Sequence, residues 1–257
     1  MSVVVPTYNE RGRIERLVSE VFQALDSAGL PGEMVVVDDN SPDGTGQLAD
    51  ALARRFPLKT VHRAGKLGLG GAVMEGFRVA GGGLLAVLDG DLSHPPTAIP
   101  DLVAAVRLLG VDMAVGSRYI PGGAWRNWPR RRLVMSRLAC LMARPLTPVR
   151  DAMSGLFVLR REAVEGVRIA SAGFKIGLEL QMRGRVRSVA EVPYTFTDRQ
   201  SGSSKMSARE GINYLTQLWM LYRLRLGGSI RPPRYQRVAA DQLGELPGRV
   251  FERPTSR

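Results

Sequence analysis

The chain has 257 residues, a formal net charge of +12, one cysteine, Cys140, and two histidines, His62 and His94. A chain of this length buries a substantial core, a single thiol excludes an internal disulfide framework, and two histidines argue against a histidine-rich zinc site, so any metal is expected on oxygen. The positive excess calls for a polyanionic partner: nucleic acid, anionic lipid or a phosphorylated substrate. With no apolar run of about 18 residues and a first strand expected from Val3, neither a spanning helix nor a signal peptide is expected, and the expected compartment is the cytosol.

Val3-Val4-Val5-Pro6 reads as a short buried strand followed by Thr7-Tyr8-Asn9-Glu10. A helix then keeps Ile14, Leu17, Val18, Val21, Phe22 and Leu25 on one face and ends at Gly29. A second strand, Met34 to Val37, runs into the polar turn Asp38-Asp39-Asn40-Ser41-Pro42-Asp43-Gly44-Thr45, which opens a helix through Leu48 and Leu52. Lys59 to His62 is a third strand. Gly65 to Gly71 leads to a helix through Val73 and Phe77, but it lacks the ending of a P-loop and of a dinucleotide fingerprint, so it reads as a turn that lets a helix pack closely.

Leu84-Leu85-Ala86-Val87-Leu88 is a buried strand that meets Asp89-Gly90-Asp91 at once, and unpaired carboxylates place that end at a sheet rim. If the backbone stays extended, Asp89 and Asp91 project to one side and Gly90 admits a close neighbour. Such a half-cage suits magnesium, which fills its remaining positions with water and substrate phosphates; taken alone, the same residues also describe a strand-end turn capping the helix near Thr97. The strand-helix rhythm predicts an α/β fold with a mostly parallel sheet whose ligands collect beyond the carboxyl ends of the strands. Asp112 to Gly116, a further strand, delivers Arg118 to the same rim, where an arginine can clamp phosphate.

From Arg118 to Arg150 there are eight arginines and no acid. Val134, Met135, Leu138, Leu141 and Met142 share one helical arc bordered by Arg130, Arg137 and Arg144, with Trp125 and Trp128 upstream. This describes a helix lying in a membrane interface, its arginines reaching anionic lipid; a helix packed on its own domain is the alternative. Nucleic acid is not expected, since no RNP, zinc-finger or helix-turn-helix signature accompanies the charge. Strands are expected over Gly155 to Leu159 and Val189 to Phe196, with a helix over Phe174 to Met182 between them. The cationic loop Asp198 to Lys205 can close over phosphate, and Ile212, Leu215, Leu218, Trp219, Tyr222 and Leu226 form one face of a second amphipathic helix. Residues 227–257 read as a flexible tail.

Val-Pro-Thr-Tyr-Asn-Glu (5–10), Val-Asp-Asp-Asn-Ser-Pro-Asp-Gly-Thr (37–45), Asp-Gly-Asp-Leu-Ser-His-Pro-Pro (89–96), Gly-Ser-Arg-Tyr (116–119), Met-Ser-Gly-Leu-Phe (153–157), Gly-Phe-Lys (173–175) and Arg-x-x-Gly-x-Ser-Lys (199–205) stand in an order that resembles the polyprenol-phosphate, or dolichol-phosphate, mannosyltransferases. These are inverting family-2 glycosyltransferases of the Rossmann-like GT-A fold. The resemblance implies a GT-A domain over 1–226, with interface helices near 126–146 and 207–226, that transfers mannose from GDP-mannose to a polyprenyl monophosphate. It implies that Pro6, Tyr8, Glu10, Val37 and Asp39 hold guanosine and that Asp89, Gly90 and Asp91 face ribose and diphosphate. Asp91, Ser93 and Asp89 are then expected at a magnesium or manganese ion, with Asp89, Asp91 and Arg118 central to catalysis. Arg199 and Lys205 are expected on donor phosphates, and Arg118, Arg132 and Ser136 on the acceptor phosphate. The expected location is peripheral, on the cytoplasmic face of a membrane, anchored by the amphipathic helices or a separate membrane subunit. A UDP-glucose enzyme of the same fold, and a noncatalytic basic module binding membrane or nucleic acid, are the readings to be separated from this one.

Overall fold

The computed structural model describes residues 1–167, 169, 175–198 and 208–237. Its strands are β1 (Ser2–Thr7), β2 (Glu33–Asp38), β3 (Leu58–His62), β4 (Leu84–Val87), β5 (Met113–Ser117), β6 (Ala124–Arg126), β7 (Phe157–Arg160), β8 (Ser188–Pro193), β9 (Thr195–Thr197) and β10 (Arg234–Arg237). Its helices are α1 (Arg11–Ser27), α2 (Thr45–Leu52), α3 (Leu69–Val79), α4 (Ile99–Leu108), α5 (Arg130–Ala143), α6 (Ile176–Arg183) and α7 (Ala208–Leu226). The main sheet has the order β10-β8-β5-β7-β4-β1-β2-β3; β7 is antiparallel to both its neighbours and the other pairs are parallel.

Alternation along the central strands builds two cores. Val3, Val5, Met34 and Val36 face a cluster with Ile14, Leu17 and Leu102 from α1 and α4, whereas Val4, Val35 and Val37 face Val73 and Phe77 of α3. Gly76 explains how closely α3 lies on the sheet, because a Cβ there would sit 2.4 Å from Val4 Cγ1. Strand order reverses between β1, which leads to β2 and β3 on one side, and β4 on the other. The crevice beyond their carboxyl ends is where an open α/β sheet binds ligands, and it receives the loop after β1 and the Asp89-Gly90-Asp91 turn.

The expected strand over Val189 to Phe196 divides at Tyr194. β8 stays in the main sheet beside β5, while β9 leaves it to pair with β6 in a two-stranded sheet. The sheet also extends past Leu226: within the stretch read as a tail, Arg234–Arg237 pairs with β8, and the Tyr235 hydroxyl donates to Glu191 Oε2 at 3.2 Å. Residues 238–257 lie outside the described residues.

α5 is turned inside out relative to an ordinary core helix. Small residues, Cys140 and Ala143, point inward, and Val134, Met135, Leu138, Leu141 and Met142 are all exposed. α7 has two apolar faces where the sequence suggested one. Tyr214, Leu218 and Leu221 are buried with Ala143, Leu146, Leu178 and Met182, while Ile212, Leu215, Trp219 and Leu226 face outward. Tyr214 and Tyr222 hydroxyls donate to the Ala139 and Met142 carbonyls and tie the two helices together. Among the described residues no helix is long and apolar enough to cross a membrane.

Candidate active site

The loops after β1 and β2 are knitted together before they meet anything else. Asp39 N–H donates to Thr7 O (3.0 Å), Asn9 N–H to Ser41 Oγ (3.0 Å) and Glu10 N–H to Thr45 Oγ1 (2.9 Å). This sets Pro6, Tyr8, Glu10 and Asp39 along one wall of the crevice. Tyr8 is partly exposed, and Lys66 Nζ from the glycine loop lies 4.6 Å from its ring centroid. Asp39 is buried and accepts from Arg63 Nη1 at 2.5 Å; burial pushes its carboxyl above the usual range against the pull of that arginine. Arg63, which sequence reasoning passed over, also reaches Glu75 at 3.1 Å and so ties the β2 loop to α3. Val37, expected with them at guanosine, has its side chain fully buried in the α3-side core, which leaves its backbone for a ligand.

Gly90 is the close approach that the sequence called for. A Cβ there would meet Thr7 Cγ2 at 3.1 Å and Pro6 O at 3.3 Å. The backbone nevertheless does not stay extended: β4 ends at Val87, residues 90 and 91 turn, and Leu92 takes a φ of 63°. The two acids consequently have different neighbours. Asp91 is 5% exposed and accepts from Ser93 N–H at 2.9 Å. Asp89 accepts from His94 Nε2 at 3.1 Å and lies against Gly155, where a Cβ would come within 3.2 Å of both carboxylate oxygens.

Among the described residues no group of three or more His, Cys, Asp or Glu is placed to enclose a metal. A divalent cation shared with a diphosphate needs only one or two carboxylates, and the turn offers oxygen donors of that kind. Ser93 Oγ is buried beside Asp91 without a hydrogen-bond partner among the described residues, an acceptor with both lone pairs open. The residues fit magnesium or manganese at Asp91 and Ser93, with Asp89 adjacent.

The acidic turn is joined to the arginine-rich side through aromatic rings. His94 lies edge-on to Phe196 (5.3 Å between centroids), and Phe196 is edge-on to Trp128 at 5.3 Å. The guanidinium carbons of Arg118 and Arg132 sit 4.8 and 4.5 Å from the centroid of Trp128. Arg132 donates to Asp198 Oδ1 at 2.6 Å, and Ser136 Oγ accepts from Tyr119 OH at 2.8 Å. Lys175 donates to Met153 O at 3.2 Å; burial lowers its pKa, opposed by the charge of Asp89.

Arg118, expected at a phosphate, is held here by a carboxylate. It is 5% exposed, and Nε and Nη2 donate to Asp151 at 2.7 and 2.6 Å. Burial works against its charge, and the hydrogen bonds and charge of Asp151 outweigh it, holding the pKa above the ordinary arginine value. Asp151 is fully buried, its own N–H donating to Glu191 Oε1 at 3.0 Å. The sequence carried one signal for this pair: Asp151 is the first acid after the arginine-only stretch. Of the remaining expected residues, Arg199 and Lys205 lie outside the described residues, as do Gly173 and Phe174.

The family model of glycosyl transferase family 2 matches residues 2–168. A dolichol-phosphate mannosyltransferase from Pyrococcus furiosus is 43% identical over 225 residues, covering 86% of this chain and 63% of that protein, so the chain spans somewhat under two thirds of that relative's length. A dolichol-phosphate mannosyltransferase from Saccharomyces cerevisiae is 39% identical over 240 residues, covering 89% of each. Among solved structures, the mannosyltransferase PcManGT from Pyrobaculum calidifontis, in complex with GDP-Man and Mn2+, matches with a TM-score of 0.58 at 20% identity, over 88% of this chain and 64% of that one. That likeness speaks to the GT-A fold alone. The family model and the sequence matches place the chain in glycosyl transferase family 2, among the dolichol-phosphate mannosyltransferases.

Proposed function

We propose that the chain transfers mannose from GDP-mannose to a polyprenyl monophosphate at a membrane surface, giving GDP and the β-linked lipid phosphate mannose. One observation carries the reading: the acidic turn at the β1/β4 crevice is linked by His94, Phe196 and Trp128 to Arg132, on a helix whose large apolar residues face outward. A nucleotide sugar and a lipid phosphate would meet there.

An acceptor phosphate has a second pKa of about 6 and is largely dianionic at neutral pH. Its oxygen attacks the anomeric carbon from the face opposite GDP, and the bond to the β-phosphate oxygen breaks as the new one forms, which inverts the centre. No side chain has to remove a proton from the nucleophile. A divalent cation held by Asp91 and Ser93, with Asp89 beside them, would supply neutralisation of the leaving diphosphate. Pro6, Tyr8, Glu10, Asp39 and the Val37 backbone would seat guanosine. Arg132 and Ser136 would hold the acceptor phosphate, with Arg118 holding the Trp128 wall behind it and Arg199 and Lys205 assigned to donor phosphates. Concentrated positive charge offsets repulsion between two anionic substrates.

The test is transfer of labelled mannose from GDP-mannose to polyprenyl phosphates with magnesium or manganese. Formation of mannosyl lipid, inhibited by GDP and not by UDP, is the expected result. Absence of lipid product across chain lengths would overturn the proposal.

A further inference from the structure

A groove of about 580 Å³ opens between α5 and the segment joining β5 to β6, with Arg118, Tyr119, Trp125, Arg137, Leu141 and Arg144 among its walls and Arg150 at its edge. Arg132 and Ser136 do not line it. Ser136 accepts from the hydroxyl of Tyr119 at 2.8 Å, and Tyr119 is itself among the groove's lining residues. No carboxylate lines the groove among the described residues. Asp151 stands behind it, fully buried and engaged with Arg118, and so neutralises that arginine alone. Three exposed guanidiniums, those of Arg137, Arg144 and Arg150, are left to set the sign of the groove.

We infer that this groove binds the phosphodiester headgroup of an anionic membrane lipid that is not a substrate. Three features favour a lipid over a soluble anion. Leu141 belongs both to the groove and to the exposed apolar stripe of Val134, Leu138 and Met142, so acyl chains would lie on the stripe when the headgroup is in the groove. Arg137 lies over the rings of Tyr119 (5.9 Å) and Trp125 (5.5 Å), which gives a charged and aromatic wall of the kind that sits at headgroup depth. The charge is unopposed at the surface, where each arginine near an anionic leaflet adds measurable affinity. The inference rests on the reading above that the chain works at a membrane surface and adds a discrete headgroup site to it.

The experiment is cosedimentation of the full chain with phosphatidylcholine vesicles, with and without phosphatidylglycerol. Two variants remove equal charge: Arg144→Gln with Arg150→Gln in the groove, and Arg130→Gln with Arg131→Gln, exposed at the start of α5 outside it. The groove pair is expected to weaken binding to the anionic vesicles by on the order of tenfold, clearly more than the control pair. It should leave the KM for polyprenyl phosphate in detergent micelles unchanged. Equal losses in the two pairs would mean diffuse charge and overturn the groove while leaving the membrane reading standing. A raised acceptor KM for the groove pair would overturn it by assigning the groove to the substrate. Failure of the unmodified chain to prefer anionic vesicles would overturn the groove and the anionic-surface reading together.

Discussion

His94 Nε2 donates to Asp89 Oδ2 across 3.1 Å, from a ring that is 2% exposed and enclosed by Tyr194 and Phe196. The contact fixes one rotamer of a carboxylate expected to face donor and metal. His94→Ala should lower kcat/KM for GDP-mannose by about 10- to 100-fold, the range for removing a partner that orients a ligating group. His94→Gln, which can still donate, should recover part of it. A loss matched by an equal fall in the folded fraction, with no recovery by glutamine, would assign His94 to packing alone.

The different neighbours of the two acids predict different phenotypes. Asp91, beside the open lone pairs of Ser93, should bear mainly on the cation; Asp89, held by His94 and set against Gly155, mainly on donor placement. Excess manganese should therefore partly restore Asp91→Asn and should not restore Asp89→Asn. Metal titrations of turnover in the two variants check this, and identical responses would abolish the division.

Glu33 predicts an acid-sensitive step in stability. Its carboxylate receives Ser2 Oγ at 2.7 Å, Lys59 Nζ at 2.8 Å and the Gly81 N–H, joining β1, β2, β3 and the approach to β4. Burial raises its pKa, and these partners outweigh that effect, lowering it from 4.5 to about 2. A carboxyl whose folded pKa is depressed stabilises above its unfolded pKa and loses that contribution as pH falls toward the folded value. The thermal midpoint should drop between about pH 4.5 and pH 2, and Glu33→Gln should lower it at neutral pH and flatten this part of the profile.

Arg118 and Asp151 form a buried bidentate pair, so removing one partner strands a charge. Asp151→Ala should destabilise the fold by about 3–5 kcal/mol in urea unfolding, the usual cost of breaking such a pair. Cys140 gives a second readout. Burial, reinforced by the charge of Asp151, pushes its thiol up to about 12. Alkylation in the native state should be slow, and it should speed up in Asp151→Ala as the site loosens.

What the sequence made legible follows from periodicity and chain order. The strands ending at Thr7, Asp38 and Val87 were visible because apolar runs stop abruptly at polar turns, and Gly90 was visible as a close approach because a glycine stands between two acids at a strand end. The antiparallel insertion of β7 and the return of β10 were not, since pairing across long separations leaves no local pattern. Arg63 and Asp151 were missed for the same reason: each is defined by a partner remote in sequence, Asp39 and Arg118. The two faces of α7 were merged because Leu218 and Trp219 are adjacent in sequence, and hydrophobicity alone does not say which of them faces the core.

That distinction on α7 yields the last prediction. Leu221 is fully buried against Leu146 and Met182, whereas Trp219, two residues away, is 60% exposed, and Leu138 on α5 is 54% exposed. Leu221→Ala should cost about 2–5 kcal/mol of stability through the cavity it leaves. Leu138→Asp combined with Trp219→Ala removes no core contact and should leave the unfolding midpoint within a few tenths of a kcal/mol. Its effect should fall on the membrane: less protein should sediment with vesicles, and the apparent KM for vesicle-borne polyprenyl phosphate should rise, while activity toward acceptor in detergent persists. Exposed apolar side chains that never touch lipid would leave vesicle binding unchanged; a helix that docks on lipid loses affinity in proportion to the apolar area removed.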